Sequence, residues 1–326
     1  MASNSDPYKI FNMTQSDLYK IFNVTQNPDG SVTRPTGFPS SPDTPELTLF
    51  KDIPLNTTNT TFLRLYRPVS PPTQKLPIII YFHGGGFVFS SATDACVHNA
   101  CSNISAHCPA LVISLEYRLA PTHRLPAAYD DGVDAIQWVR DQGLMSNVEG
   151  CDEWLNEFGD FSKVYLMGTS AGGNLTYHAG LRALELDLDP ILIVGLIMDQ
   201  PSLGGVERTD AELRRINDHV IPLTATDFMW SFALPLGSDR DHEYANPLKD
   251  HHKSSNEIIK RLPMCMIRMN GNDPMIDRQK EFANILENHG VHVTRKSYED
   301  SCHGVETADP KKAQILYDDV KSFIWN

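Results

Sequence analysis

KVYLMGTSAGGN, residues 163–174, decides the fold. Its apolar half, KVYLMG (163–168), reads as a strand buried on both faces, and the residues after it read as a helix through residue 185. Between them stands Gly168-Thr169-Ser170-Ala171-Gly172, a G-x-S-x-G pattern at a strand-to-helix turn. Glycines there permit the sharp, strained turn that lifts a serine hydroxyl above the edge of a sheet. The N-terminus of the following helix offers free N–H groups and a favourable dipole to developing negative charge. A glycine–serine turn without chemistry is the bland reading of this pentapeptide, so the rest of the chain has to decide.

Working outward, LPIIIYF (76–82), ALVISLEY (110–117), ILIVGLIM (191–198), MCMIRM (264–269) and HVTRKSY (292–298) are further strand candidates. Segments 126–142 and 311–324 have helical spacing of their apolar residues. Upstream, LTLFKDI and TFLRLYRP alternate as an antiparallel pair joined by the polar NTTNTT turn. Strands alternating with helices predict a mostly parallel sheet flanked by helices, an α/β class. The interval 201–262 breaks that rhythm with a helical stretch rich in Met, Trp and Phe. Residues of about 1–45 and 201–250 are therefore expected to form a cap over the carboxyl edge of the sheet, within one domain spanning 1–326. DPYKIFNMTQ (6–15) and DLYKIFNVTQ (17–26) repeat at an offset of eleven residues. Two copies are too few for a solenoid, and a local duplication explains them.

His83-Gly84-Gly85-Gly86 follows the strand LPIIIYF, where a loop donating backbone N–H groups to an oxyanion belongs. The N–H groups of Gly84, Gly85 and Ala171 are the expected oxyanion hole. In chain order the acid and base should follow the nucleophile. Asp273 directly follows the strand MCMIRM, and His303 follows HVTRKSY in a short loop. Asp277 and Asp300 compete for the acid role. Asp273 is preferred for its place at the strand end, with Asp277 expected to start or cap the next helix. The catalytic set is thus Ser170, Asp273 and His303, with no metal and no organic cofactor. Phe87, Phe228 and Trp230 are candidates for an apolar substrate pocket, and Cys302 lies near the site by sequence proximity.

HGGGF (83–87), EYRLAPTHRLPAAYDD (116–131), GTSAGGN (168–174), DRDHEYANP (239–247), GNDPMIDRQ (271–279) and CHG (302–304) together resemble the plant carboxylesterases, in the hormone-sensitive-lipase-like group of α/β hydrolases. The resemblance covers nearly the whole chain. It implies an α/β-hydrolase fold with an eight-stranded sheet and helical cap, the triad given above, and small esters of plant metabolites as substrates. Within this group the gibberellin receptors lack the triad histidine, and hydroxyisoflavanone dehydratases carry threonine for the serine. Ser170, Asp273 and His303 are all present here, so neither exception applies. Thr169 departs from the family, which commonly has an acidic residue there. Two rival outcomes share the same scaffold: a specialised esterase or cyclase acting on one intermediate, such as an alkaloid methyl ester, and a receptor-like ligand-binding module.

The bulk numbers agree with a soluble enzyme. A net charge of −13 leaves nothing to neutralise phosphates or anionic lipids, so neither nucleic acid nor membrane is an expected partner. The first fifteen residues lack a basic segment followed by an apolar core, and no apolar run approaches membrane-spanning length. The expected location is the cytoplasm, where the six cysteines stay reduced. A small-molecule ester is the one partner the sequence implies, and it is silent on oligomeric state.

Overall fold

The computed structural model describes residues 25–27, 32–33, 47–70, 73–146, 148–247, 249 and 256–325. Eight strands form one sheet: β1 (Thr48–Asn56), β2 (Thr61–Pro68), β3 (Leu76–Phe82), β4 (Leu111–Glu116), β5 (Gly159–Thr169), β6 (Ile193–Asp199), β7 (Met264–Asn270) and β8 (Val293–Tyr298). Their spatial order is β8-β7-β6-β5-β3-β4-β2-β1. β2 alone runs against the others, pairing antiparallel with β1 and β4. The β1–β2 turn is built by Asn56, whose Oδ1 accepts the N–H groups of Thr58 and Asn59, both at 3.1 Å. A side chain that imitates a backbone turn in this way is why asparagine recurs in such loops.

The central strands are apolar throughout because helices cover both faces of the sheet. Along β3, Ile78, Ile80 and Phe82 enter one core with α2 (Ala127–Leu144), α4 (Ala171–Ala183) and α8 (Ile276–Asn288). Ile79 and Tyr81 enter the other, beneath α1 (Ala95–His107) and α9 (Pro310–Trp325). The run 76–82 is therefore fully buried without alternating in polarity. The expected strands all form. β5 begins four residues earlier than KVYLMG, because Gly159 and Asp160 pair with Leu76 and Pro77 before a register shift. α1 has no counterpart in the sequence reading. Its three apolar contacts, Val97, Cys101 and Ile104, are dispersed among Asn, Ser and His, so periodicity is faint.

The segment after β4 is locked by a buried ion pair. Asp131, fully buried on α2, takes the Arg118 guanidinium (Nη2 to Oδ1, 2.7 Å) and the Arg118 N–H (2.8 Å to Oδ2). Removing Asp131 leaves the partly exposed Arg118 guanidinium and its backbone N–H without their acceptor. Asp131→Ala is expected to cost about 1.5–3 kcal/mol of folding stability, read as a lower urea midpoint; an unchanged midpoint contradicts this account.

Within 201–250, α5 (Asp210–Arg214) starts with a capping box, in which the Thr209 hydroxyl accepts the Glu212 N–H and Glu212 accepts the Thr209 N–H. Arg278 of α8 grips this region: Nε donates to Glu212 at 2.7 Å, and Nη1 and Nη2 reach the carbonyls of Gly204 (3.0 Å) and Glu207 (2.6 Å). α6 (Leu223–Ala233) follows. The remaining short helices are α3 (Glu153–Phe158) and α7 (Asn256–Ile259). The expected N-terminal part of the cap and the tandem repeat fall almost wholly outside the described residues. Of that stretch, Thr25–Gln26 pairs antiparallel with Val32–Thr33. Among the described residues, no helix is long and apolar enough to cross a membrane.

Candidate active site

Ser170 sits between β5 and α4 with φ 57° and ψ −118°, a conformation that costs a non-glycine residue of order 1–3 kcal/mol. The flanking glycines make the turn possible. A Cβ on Gly168 would lie 2.2 Å from the Gly172 carbonyl oxygen, and one on Gly172 would lie 1.9 Å from the Phe82 oxygen. β3, β5 and the start of α4 thus converge too tightly for any side chain at either position.

The two distant residues arrive by the ends of neighbouring strands. Asp273 follows β7 by three residues and His303 follows β8 by five, so both stand at the carboxyl edge beside the serine. The Ser170 hydroxyl donates to His303 Nε2 at 3.0 Å, and His303 Nδ1 donates to Asp273 Oδ2 at 2.7 Å. A carboxylate can only accept, which fixes the proton on Nδ1 and leaves Nε2 free to take one. Asp273 is fully buried; its Oδ1 accepts the Met275 N–H at 2.8 Å and its Oδ2 also accepts from Gln279 at 3.0 Å. Burial works to lower the His303 pKa, but the charge and hydrogen bond of Asp273, with Asp199 and Glu306 further off, outweigh it and hold it above the ordinary imidazole value.

Of the competing acids, Asp277 lies in the first turn of α8 and accepts the Ala211 N–H at 2.7 Å, and Asp300 is exposed. Cys302 is half-buried and its carbonyl accepts from Asn270 at 2.8 Å.

The His83–Gly86 loop passes directly beside the serine: a Cβ on Gly84 would be 3.4 Å from the Ser170 Cβ. Gly85 has φ 105°, and its carbonyl turns away to accept from Val88 (3.1 Å) and Phe89 (2.9 Å). His83 is fully buried and stacks on Tyr117 at 4.1 Å; its Nδ1 donates to the Gly84 carbonyl at 2.8 Å, and the Tyr117 hydroxyl donates to the His83 carbonyl at 2.8 Å. Burial lowers the His83 pKa to about 4, so the ring stays neutral at physiological pH and serves to hold the loop. Ala171 opens α4, and first-turn N–H groups have no acceptor within the helix.

Phe87, Phe228 and Trp230 are 2%, 2% and 4% exposed and enclosed by protein. Phe87 packs on Trp230 (6.0 Å between centroids) and Phe228 on Phe232 (4.4 Å). The α6 residue that meets the glycine loop is half-buried Met229, whose Sδ would be 2.0 Å from a Cβ on Gly86. No motif pointed to Gln200, whereas Met229 lies in the stretch rich in Met, Trp and Phe, and Gln279 ends the segment GNDPMIDRQ. Among the described residues, no cluster of three His, Cys, Asp or Glu could hold a metal ion.

This fold and serine-centred site define a class. The model of the α/β-hydrolase fold family matches residues 79–307. The chain is similar to a solved esterase from Pyrobaculum calidifontis, with a TM-score of 0.69 at 23% identity over 85% of each chain. Among curated proteins it is 47% identical over 323 residues to a probable carboxylesterase of Arabidopsis thaliana, covering 98% of this chain and 94% of that one. It is also 47% identical over 283 residues to a 3-O-acetylpapaveroxine carboxylesterase of Papaver somniferum, covering 84% and 89%. The chain belongs to the plant carboxylesterase family of α/β hydrolases.

Proposed function

We propose that this carboxylesterase cleaves small carboxylic esters through an acyl-enzyme on Ser170. His303 takes the hydroxyl proton as Oγ attacks the ester carbonyl, while Asp273 holds the imidazole in the required tautomer and stabilises its cation. The N–H groups of Gly84, Gly85 and Ala171 stabilise the tetrahedral oxyanion. His303 then protonates the leaving alcohol and draws a proton from water as that water releases the acid. The observation carrying this reading is the hydrogen-bonded chain Ser170–His303–Asp273 at 3.0 and 2.7 Å. The region 201–250, clamped by Arg278 and seated on Gly86, serves as a cap over the carboxyl edge, with Phe87, Phe228 and Trp230 forming its apolar interior. Cytoplasmic location accompanies this reading.

Acetyl and other short acyl esters of plant metabolites are the proposed substrates; the poppy relative named for an O-acetyl compound supports that choice. A receptor-like role finds no support in a site whose imidazole is in hydrogen-bond contact with the serine. The test combines hydrolysis of p-nitrophenyl esters from acetate to octanoate with inactivation by an alkyl fluorophosphonate. Turnover favouring short chains and a single adduct on Ser170 are expected. An adduct elsewhere, or inactivation without one, overturns the assignment.

The pH dependence follows from His303. A base must be neutral to act, and its pKa is held above the ordinary value, so kcat/KM should fall on the acid side with a limb above that value. A profile flat down to pH 5 would contradict His303 as the base.

A further inference from the structure

Next to the turns that carry Ser170 and His303 lies a cluster of ionic groups that the proposed chemistry does not use. Its centre is Arg268, a cation in the middle of β7 that is 1% exposed. Its Nη1 donates to Asp199 at 2.6 Å and to Glu306 at 3.1 Å, and its Nε donates to Asp319 at 3.0 Å. Asp319 also receives Lys296 at 3.2 Å. Three carboxylates thus face two cations beneath the site, and burial together with Asp199 raises the Glu306 pKa against the pull of Arg268.

This cluster grips both catalytic turns. Asp199 takes the Thr169 hydroxyl at 3.1 Å on its Oδ2, and its carbonyl accepts the Ser170 N–H at 2.9 Å. On the other side, Gln200 is fully buried with φ 50°, and its Nε2 donates to Glu306 at 2.9 Å. Its Oε1 accepts the N–H of Gly304, the residue after His303, at 2.8 Å. Glu306 lies three residues past the histidine in a one-turn 3₁₀ helix. The route from Ser170 to His303 through Asp199, Arg268, Glu306 and Gln200 is continuous, and fully paired buried networks of this kind are rigid.

We propose that Glu306, held by Arg268 and Gln200, is a positioning residue for hydrolysis: it fixes the loop that aims His303 at Ser170 and places negative charge behind the imidazolium. The proposal rests on the Ser170–His303–Asp273 reading given above. Thr169 acquires a role in it, since its hydroxyl donates to the Asp199 carboxylate of the cluster. The charged groups acting on His303 are Asp273 from the β7–α8 loop, Asp199 from the end of β6 and Glu306 from its own turn, and all three raise its pKa against burial. Removing the Glu306 charge therefore moves the acid limb to lower pH.

The test measures kcat, KM and the pH profile of p-nitrophenyl acetate hydrolysis for the full chain and for Glu306→Gln, Glu306→Asp and Ser170→Ala, with melting temperatures alongside. Glu306→Gln puts an amide where two donors now converge. It should lower kcat about tenfold with KM unchanged, as expected for a misaimed catalytic group, and shift the acid limb downward. Glu306→Asp restores the charge and should return the limb toward wild type. A Glu306→Gln profile with kcat within twofold of wild type and an unmoved limb overturns the proposal, and so does a lowered melting temperature with both kinetic readouts unchanged. If Glu306→Gln does not fold, Gln200→Asn takes its place, because asparagine tolerates a positive φ and alters no charge. Its shorter arm should lower kcat about tenfold and leave the limb in place; wild-type kcat in that variant overturns the proposal. Ser170→Ala separates the two levels: activity surviving there removes the triad reading itself, whereas an inactive Ser170→Ala beside a wild-type-like Glu306→Gln removes only the role of Glu306.

Discussion

Ser170→Ala is expected to lower kcat for p-nitrophenyl acetate by roughly 10⁴- to 10⁶-fold, the range spanned by deletions of single triad members. The substitution removes the oxygen that donates to His303 Nε2 at 3.0 Å and leaves the His303–Asp273 bond untouched. Alanine can occupy the same turn, because Gly168 and Gly172 supply its room and the residue itself keeps its Cβ. The net loss of one hydrogen bond amounts to about 1 kcal/mol, so the melting temperature should move by a few degrees at most. Residual slow hydrolysis is consistent with an oxyanion hole that still binds the transition state. A variant keeping a tenth or more of wild-type kcat would show that another group is the nucleophile.

Gly172→Ala carries the largest expected effect on folding. The added Cβ would lie 1.9 Å from the Phe82 oxygen and 2.7 Å from the His83 oxygen. Both are backbone atoms, one ending β3 and the other opening the glycine loop, so no rotamer change can make room. Relief requires moving α4 away from β3 and so moving Ser170, or pulling β3 out of its pairing with β5. A cost of about 3 kcal/mol or more is expected, beyond ordinary overpacking. Equilibrium urea unfolding measures it, and a loss under about 1 kcal/mol would mean the turn is looser than its geometry indicates.

The parts of this protein most legible in its sequence are those where one local rule governs. β3, the second half of β5, β6 and β7 are largely apolar because two helical layers bury them, and a glycine, asparagine or aspartate lies close to the end of each. Ser170, Asp273 and His303 could be expected to meet because the carboxyl ends of strands in a parallel sheet are brought to one edge. α1 stayed hidden because Ala95–His107 buries only a narrow stripe, and packing against the sheet rather than propensity makes it helical. The Arg268 cluster was invisible for a different reason: Asp199, Arg268, Glu306 and Asp319 come from four separate segments, and pairing across 120 residues leaves no periodic trace. One signal did stand in plain view. An arginine inside the run MCMIRM, on a strand buried on both faces, must be neutralised by partners from elsewhere. In α6, Phe228 and Trp230 are buried against other aromatic side chains, and Met229 between them meets the glycine loop.

The backbone at Ser170 has a consequence for how such a chain can change over generations. A left-handed residue with a side chain is held there against its own preference, and glycine would adopt the same φ without that cost. Selection for a sturdier fold and selection for hydrolysis therefore pull in opposite directions at one position. A descendant no longer required to cleave esters would become more stable by the same single step that ends its chemistry. The hydroxyl's one hydrogen bond offsets only part of that strain, so it is the reaction that retains the serine.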